Sequence, residues 1–168
     1  MDGVEYCIDD EIPFEIPKNW AWCRIKTLFF LQAGKTIQAS QVHDESNGKD
    51  YHCYGGNGIR GYVDFYNHNG DYPLIGRQGA LCGNINRAIG KFYATEHAVC
   101  VYTYANTNIS WACLFLTALN LNQYATATAQ PGLAVANINE VLIPLPPLSE
   151  QRRIVERADT LLRNLHKL

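Results

Sequence analysis

The stretch YGGNGIRGY, residues 54–62, decides between two folds. Gly56, Gly58 and Gly61 have the G-x-G-x-x-G spacing that cradles a dinucleotide pyrophosphate. That reading needs a helix opening on the glycines and an acidic side chain about twenty residues later. The next residues, YVDFYNHNGDY, instead alternate and then turn, so they read as strand. No Asp or Glu lies between Asp71 and Glu96, where the ribose-binding acid belongs. The glycines therefore mark turns in a β structure. A second decoy, AGKT at 33–36, fails as a phosphate loop, because Phe29 stands where the loop needs its first glycine.

Outward from this stretch, residues 51–104 read as short strands, with turn signals at 57–58, 68–71, Gly76, Gly79, Gly83 and Gly90. Residues 20–34 mix strand and helix signals up to Gly34, and 41–51 form a polar loop. The segment 107–124 is a helix with a broad apolar face and cap candidates Thr107, Asn108 and Ser110. Residues 132–147 hold a short element and then a strand ending in prolines. The expected fold is α/β in the α+β sense: a twisted, mostly β domain over 18–148 with packed helices, after a lead-in at 1–17. A coiled-coil helix occupies 149–168, with Ser149 as cap. Its apolar residues at 154, 158, 161, 165 and 168 have a 4-3-4-3 spacing, widened by 155 and 162. Such a seam needs a partner surface, either a second helix or its own domain.

The chain has 168 residues and a net charge of −2. Its first fifteen residues carry six acids and no Lys or Arg; the remainder holds 14 basic and 10 acidic residues. The basic excess flanks the glycine-rich middle or lies in the last twenty residues. The N-terminal stretch has no positive n-region or apolar h-region, and the longest apolar run, WACLFLTAL, is too short for a bilayer. These features predict a cytoplasmic protein without membrane contact. The six cysteines form no C-x-x-C pair and read as buried free thiols.

No catalytic or metal constellation stands out. The histidines at 43, 52, 68, 97 and 166 lack metal-ligand spacing. His97, in ATEHAV, reads as a satisfied core or interface residue in an apolar strand, and a Cys82–His97 nucleophilic pair has no local support. G-x-S-x-G and the amino-methyltransferase [DNS]-P-P-[YF] motif are absent. There remains a basic, amide-rich, glycine-rich region: Asn57, Arg60, Arg77, Gln78, Asn84, Asn86, Arg87 and Lys91. Arg pairs with guanine edges and Asn or Gln with adenine edges, while glycines let backbone approach phosphate. Polar residues that simply satisfy loops give the same composition.

The run IPLPPLSEQRRIVERADTLL resembles the junction of target recognition domain and conserved helix in specificity (S) subunits of type I restriction–modification systems. PFEIPKNWAWCRI, YGGNGIRGYVDFY, PLIGRQGALCGNI, ATEHAVCVY and AQPGLAVANINEVLIPLPP are similar to that family in order, so the resemblance covers residues 11–168. It implies a non-catalytic chain that reads one half of a split double-stranded DNA target. It implies methyltransferase (modification) and restriction subunits as partners, with S-adenosylmethionine and ATP belonging to those partners and no cofactor or metal here. Lys35, Asn57, Arg60, Arg77, Gln78, Asn84, Asn86 and Arg87 become the DNA-binding candidates. Gly56 and Gly76 serve either as positive-φ turn residues or as scaffold. Ile154, Ala158, Leu161, Leu165 and Leu168 become a subunit interface. One recognition domain and one helix are present, which fits a fragment, a truncated product or a half-size subunit that self-associates. The rival is an interaction module that pairs with other subunits without binding DNA.

Overall fold

The computed structural model describes residues 7–79, 81–126 and 131–165. Among the described residues, eight strands and four α-helices run in the order β1 (Ala21–Arg24), α1 (Ile25–Leu28), β2 (Phe29–Ala33), β3 (Tyr51–Gly55), β4 (Gly58–Val63), β5 (His68–Gly76), β6 (Ile85–Ala94), β7 (Ala98–Thr103), α2 (Ile109–Ala118), α3 (Val135–Asn139), β8 (Leu142–Leu145) and α4 (Leu148–Leu165). The six-stranded sheet has the order β2-β7-β5-β6-β3-β4, and β1 pairs with β8 in a separate ribbon. Strands β3 and β6 pair in parallel; the other neighbours are antiparallel. The expected mixed, mostly β architecture with packed helices is the one the chain adopts.

Strand alternation explains why there are two main cores. In β7, Val99 and Val101 face the helices, while Ala98, Cys100 and Tyr102 face the opposite side. In β5, Ile75 and Leu74 divide in the same way. The helix-side core gathers Phe29, Ile75, Val99 and Val101 against Trp111, Leu116 and Ile138. Each such side chain contributes about 1.5–3 kcal/mol on burial. Asn108 caps α2 by accepting the Trp111 N–H at 2.9 Å, and Trp111 stacks on Phe115.

The opposite core is aromatic, and the β5–β6 ribbon curls around it. The Asn67 side chain brackets Ala94, donating to its carbonyl at 2.9 Å and accepting its N–H at 2.8 Å. Gly76 pairs with Ala98, and a turn closed by Ala98 N–H to Thr95 O links Ala94 to Ala98. Residues 67 and 76, about 30 Å apart on a straight strand, are thus anchored to the two ends of one tight turn. Gly70 and Gly90 pair within the curl at φ of +155° and +81°. A Cβ on Gly70 would lie 2.7 Å from the Tyr72 ring, so its absence admits that ring. Tyr54, Tyr72, Phe92 and Tyr102 fill the space, with His68 stacked on Phe92 at 5.2 Å between centroids.

Helix α4 begins one residue earlier than expected, so Ser149 lies inside its first turn and is not the cap. Its root is fastened by Gln151, which is 4% exposed. The Gln151 amide accepts the Asn108 N–H at 2.9 Å and donates to Pro146 O at 3.0 Å. Ile154 and Val155 then pack on the helix-side core, whereas Leu161 and Leu165 are 51% and 64% exposed. The seam is therefore divided: its start belongs to the domain and its later leucines face outward. Leu168 lies outside the described residues.

Candidate nucleic-acid interface

The stretch YGGNGIRGY forms a hairpin. Gly55 pairs with Gly58, so Gly56 and Asn57 make a two-residue turn between β3 and β4. For Gly56 and Gly76 the sequence suggests positive φ or plain scaffold. Neither has positive φ. They are glycine because their backbones touch: a Cβ on Gly76 would lie 1.9 Å from Gly56 O. A Cβ on Gly56 would meet Gln78 O at 3.0 Å and His97 O at 3.4 Å. The Arg77 N–H donates to His97 O at 2.8 Å, and the Arg77 carbonyl accepts the Leu133 N–H at 2.9 Å. Four segments converge here: the hairpin tip, the 76–79 turn, the 95–98 turn and residues 131–134.

Several of the sequence-chosen side chains meet at this end. Asn84 Nδ2 donates to Asn57 Oδ1 at 3.3 Å, and the Asn86 amide lies against Gly58. Arg77 and Gln78 line a cleft of about 430 Å³ with Glu96, His97 and residues 132–134. A second cleft of about 460 Å³ lies between Gly56, Asn57, Gln78, Gly79 and His97. Arg60, on β4, lies over Gly55. Among the described residues the guanidinium groups of Arg60 and Arg77 have no hydrogen-bond or ion-pair partner, and both side chains are exposed.

Two candidates stand apart. Lys35 sits beside the end of β6, with its N–H on Ala94 O at 3.0 Å. It lies near His68, whose protonation is disfavoured first by burial and then by the Lys35 charge. Arg87 is directed by strand alternation toward α2, opposite to Asn86. It forms a bidentate pair with Asp71 at 2.8 and 2.6 Å and donates to Ser110 Oγ at 3.0 Å. The Asp71 carboxylate raises its already high pKa further. Three of its five N–H donors are thereby engaged within the protein.

His97 departs from its sequence reading. It lies in the 95–98 turn and not in a strand, with its side chain 41% exposed and Nε2 3.4 Å from Glu96 Oε1. No local pattern distinguishes a turn histidine in ATEHAV from a strand one. Gln151 is visible in the sequence only as part of a motif. Cys82 is buried and accepts from Asn122 Nδ2 at 3.2 Å. Burial pushes the Cys100 thiol up to about 12 and also raises Cys23, Cys53 and Cys113. Cys53, Cys82 and Cys100 are buried as expected, but Cys7 is exposed and Cys23 and Cys113 are half-buried. Among the described residues no group of three or more His, Cys, Asp or Glu is placed to hold a metal ion. No described helix is long and apolar enough to cross a membrane.

A family model described as type I restriction modification DNA specificity domain matches residues 17–167. The EcoprrI specificity subunit of Escherichia coli is 48% identical over 139 residues, covering 80% of this chain and 35% of that protein. The EcoAI specificity subunit of the same species is 24% identical over 193 residues, covering 95% of this chain and 31% of that protein. The chain thus spans about a third of the length of these curated relatives. Among solved structures, the S subunit from M. genitalium superposes with a TM-score of 0.75 at 18% identity, over 92% of this chain and 42% of that one. The HsdS subunit from Thermoanaerobacter tengcongensis gives 0.71 at 20% identity, over 92% and 40%. At these identities the two structures show the shared fold.

Proposed function

Because the chain belongs to the type I restriction modification DNA specificity family, we propose that it is a target recognition domain reading one half of a split duplex DNA sequence. The observation that carries this is the convergence of unpaired arginines and amides from separate loops on one end of the sheet. Arg77 supplies a planar fork suited to guanine O6 and N7. Gln78, Asn57 and Asn86 supply the donor and acceptor pair suited to adenine. Arg60, on β4, serves as a phosphate contact, and Lys35, apart from the cluster beside the end of β6, as a more distant one. The glycine contacts fix these side chains on backbone that has little freedom to move. Arg87 is left out of the DNA surface, since its donors hold Asp71 and Ser110.

In this reading the chain performs no chemistry. It positions a methyltransferase subunit and a restriction subunit on DNA in the cytoplasm, and S-adenosylmethionine and ATP are used by those partners. The outward leucines of α4 serve subunit contact, either with those partners or with a second copy of the chain.

The test is selection from a randomised duplex library at two salt concentrations, with and without the methyltransferase subunit. Enrichment of a short motif, with affinity falling steeply as salt rises, supports the reading. Failure to enrich under every condition overturns it in favour of a module that only pairs with other subunits.

A further inference from the structure

His97 and Gln78 line both clefts at the loop end and so form the ridge between them. Their backbones are locked. The His97 carbonyl accepts the Arg77 N–H, and Gly56 packs against the His97 Cβ and the Gln78 carbonyl. The His97 carbonyl and Cβ are therefore held against the hairpin tip and the 76–79 turn. Behind it stands Glu96, with Oε1 3.4 Å from His97 Nε2 and Oε2 buried without a hydrogen-bond partner among the described residues. A carboxylate only accepts, so in the neutral imidazole it favours the proton on Nε2. Nδ1 then carries the lone pair. In the major groove the groups that donate to such an acceptor are the exocyclic amines, adenine N6 and cytosine N4.

Resting on the DNA-recognition reading above, we infer that His97 is a specificity-determining residue that accepts a hydrogen bond from a base amine, with Glu96 as the positioning residue that sets its tautomer. Gln78, beside it on the ridge, reads the neighbouring base. Glu96 is not a phosphate contact, because its carboxylate repels phosphate. The sequence offers no sign of this, since it places His97 in a strand.

The experiment measures affinity of the full chain, with its methyltransferase partner, at pH 8 on the selected site and on every single-base variant of it. His97→Ala is expected to lose a preference of roughly five-fold for A or C at one position and to leave the other positions unchanged. His97→Asn places an amide oxygen near the Nδ1 position and is expected to keep that preference. Glu96→Gln, which no longer dictates the tautomer, is expected to weaken it at the same position. Wild-type and His97→Ala profiles that coincide overturn the inference alone. So does a uniform loss at all positions, which marks a phosphate grip, or a lost preference for G or T. A wild-type chain without any base preference overturns both this inference and the reading on which it rests.

Discussion

Gly76→Ala tests whether the loop end is built on backbone contact. The added methyl would lie 1.9 Å from Gly56 O and 3.0 Å from Gly56 C. A carbon–oxygen contact needs about 3.3 Å, so the hairpin tip or the 76–79 turn must retreat by more than about 1 Å. Gly76 donates its N–H to Asn84 O at 2.8 Å and accepts from Gly83 N–H at 2.7 Å, and both bonds stretch in that movement. Overpacking costs about 1–3 kcal/mol, and each weakened bond adds about 1 kcal/mol. The expected loss is about 3–5 kcal/mol, a large part of the stability of an ordinary domain. With a urea slope of about 2 kcal/mol/M, the midpoint falls by about 1.5–2.5 M. Gly79→Ala is the control. Gly79 has φ of +94° but open space around its Cβ position, so it carries only the left-handed strain of about 1–2 kcal/mol. The assay is urea denaturation of both variants, monitored by fluorescence. If Gly76→Ala is no less stable than Gly79→Ala, the contact argument is wrong.

Gln151→Leu leaves the Asn108 N–H and Pro146 O without partners and is expected to cost about 2–4 kcal/mol by thermal melting; a change below about 0.5 kcal/mol would show that α4 is not fastened there. Arg87→Ala should cost about 1 kcal/mol, because the pair is partly exposed, and should leave DNA affinity within two-fold while Arg77→Ala lowers it by ten-fold or more; equal affinity losses would return Arg87 to the DNA surface. Burial depresses the folded-state pKa of His68 below its ordinary 6.5, so the unfolded chain binds its proton first. Stability is then full above about pH 6.5 and falls as pH drops below it, a slope that His68→Asn should flatten in denaturation midpoints taken at pH 7.5 and 5.5; parallel slopes for the two proteins contradict this. Leu161→Asp, at a half-exposed site, should leave the melting temperature unchanged and reduce assembly in sedimentation; a large drop in melting would place Leu161 in the domain core.

The strand-rich 51–104 region, a turn near 57–58 and a helix after residue 107 are legible in the sequence because each rests on neighbours along the chain, although the turn falls one residue earlier, at 56–57, and the helix ends at Ala118 instead of running to 124. Alternation in β7 even carries the two cores, since Val99 and Val101 go one way and Cys100 and Tyr102 the other. The contact of Gly76 with Gly56 is not legible, because it joins residues twenty apart and leaves no periodic trace. The curl of β5 and β6 is hidden for a similar reason: Gly70 and Gly90 each read as ordinary turn signals until their pairing is known. Arg87 and Arg77 are equivalent in composition, and what separates them is Asp71, on the neighbouring strand two residues from the position opposite Arg87. The apolar seam of α4 is visible as a stripe, but periodicity does not say where along a stripe one partner ends and another begins.

The Gln151 clip has a mechanical consequence. Helix α4 has 18 residues, so it is a lever about 27 Å long. A 10° swing at its root would carry its far end about 5 Å, more than the roughly 3.4 Å step between base pairs. The two hydrogen bonds made by the buried Gln151 amide at the pivot thus act as a protractor. In the function proposed above, the angle they hold, more than the length of the helix, sets how accurately anything mounted at the far end is phased against the sequence being read.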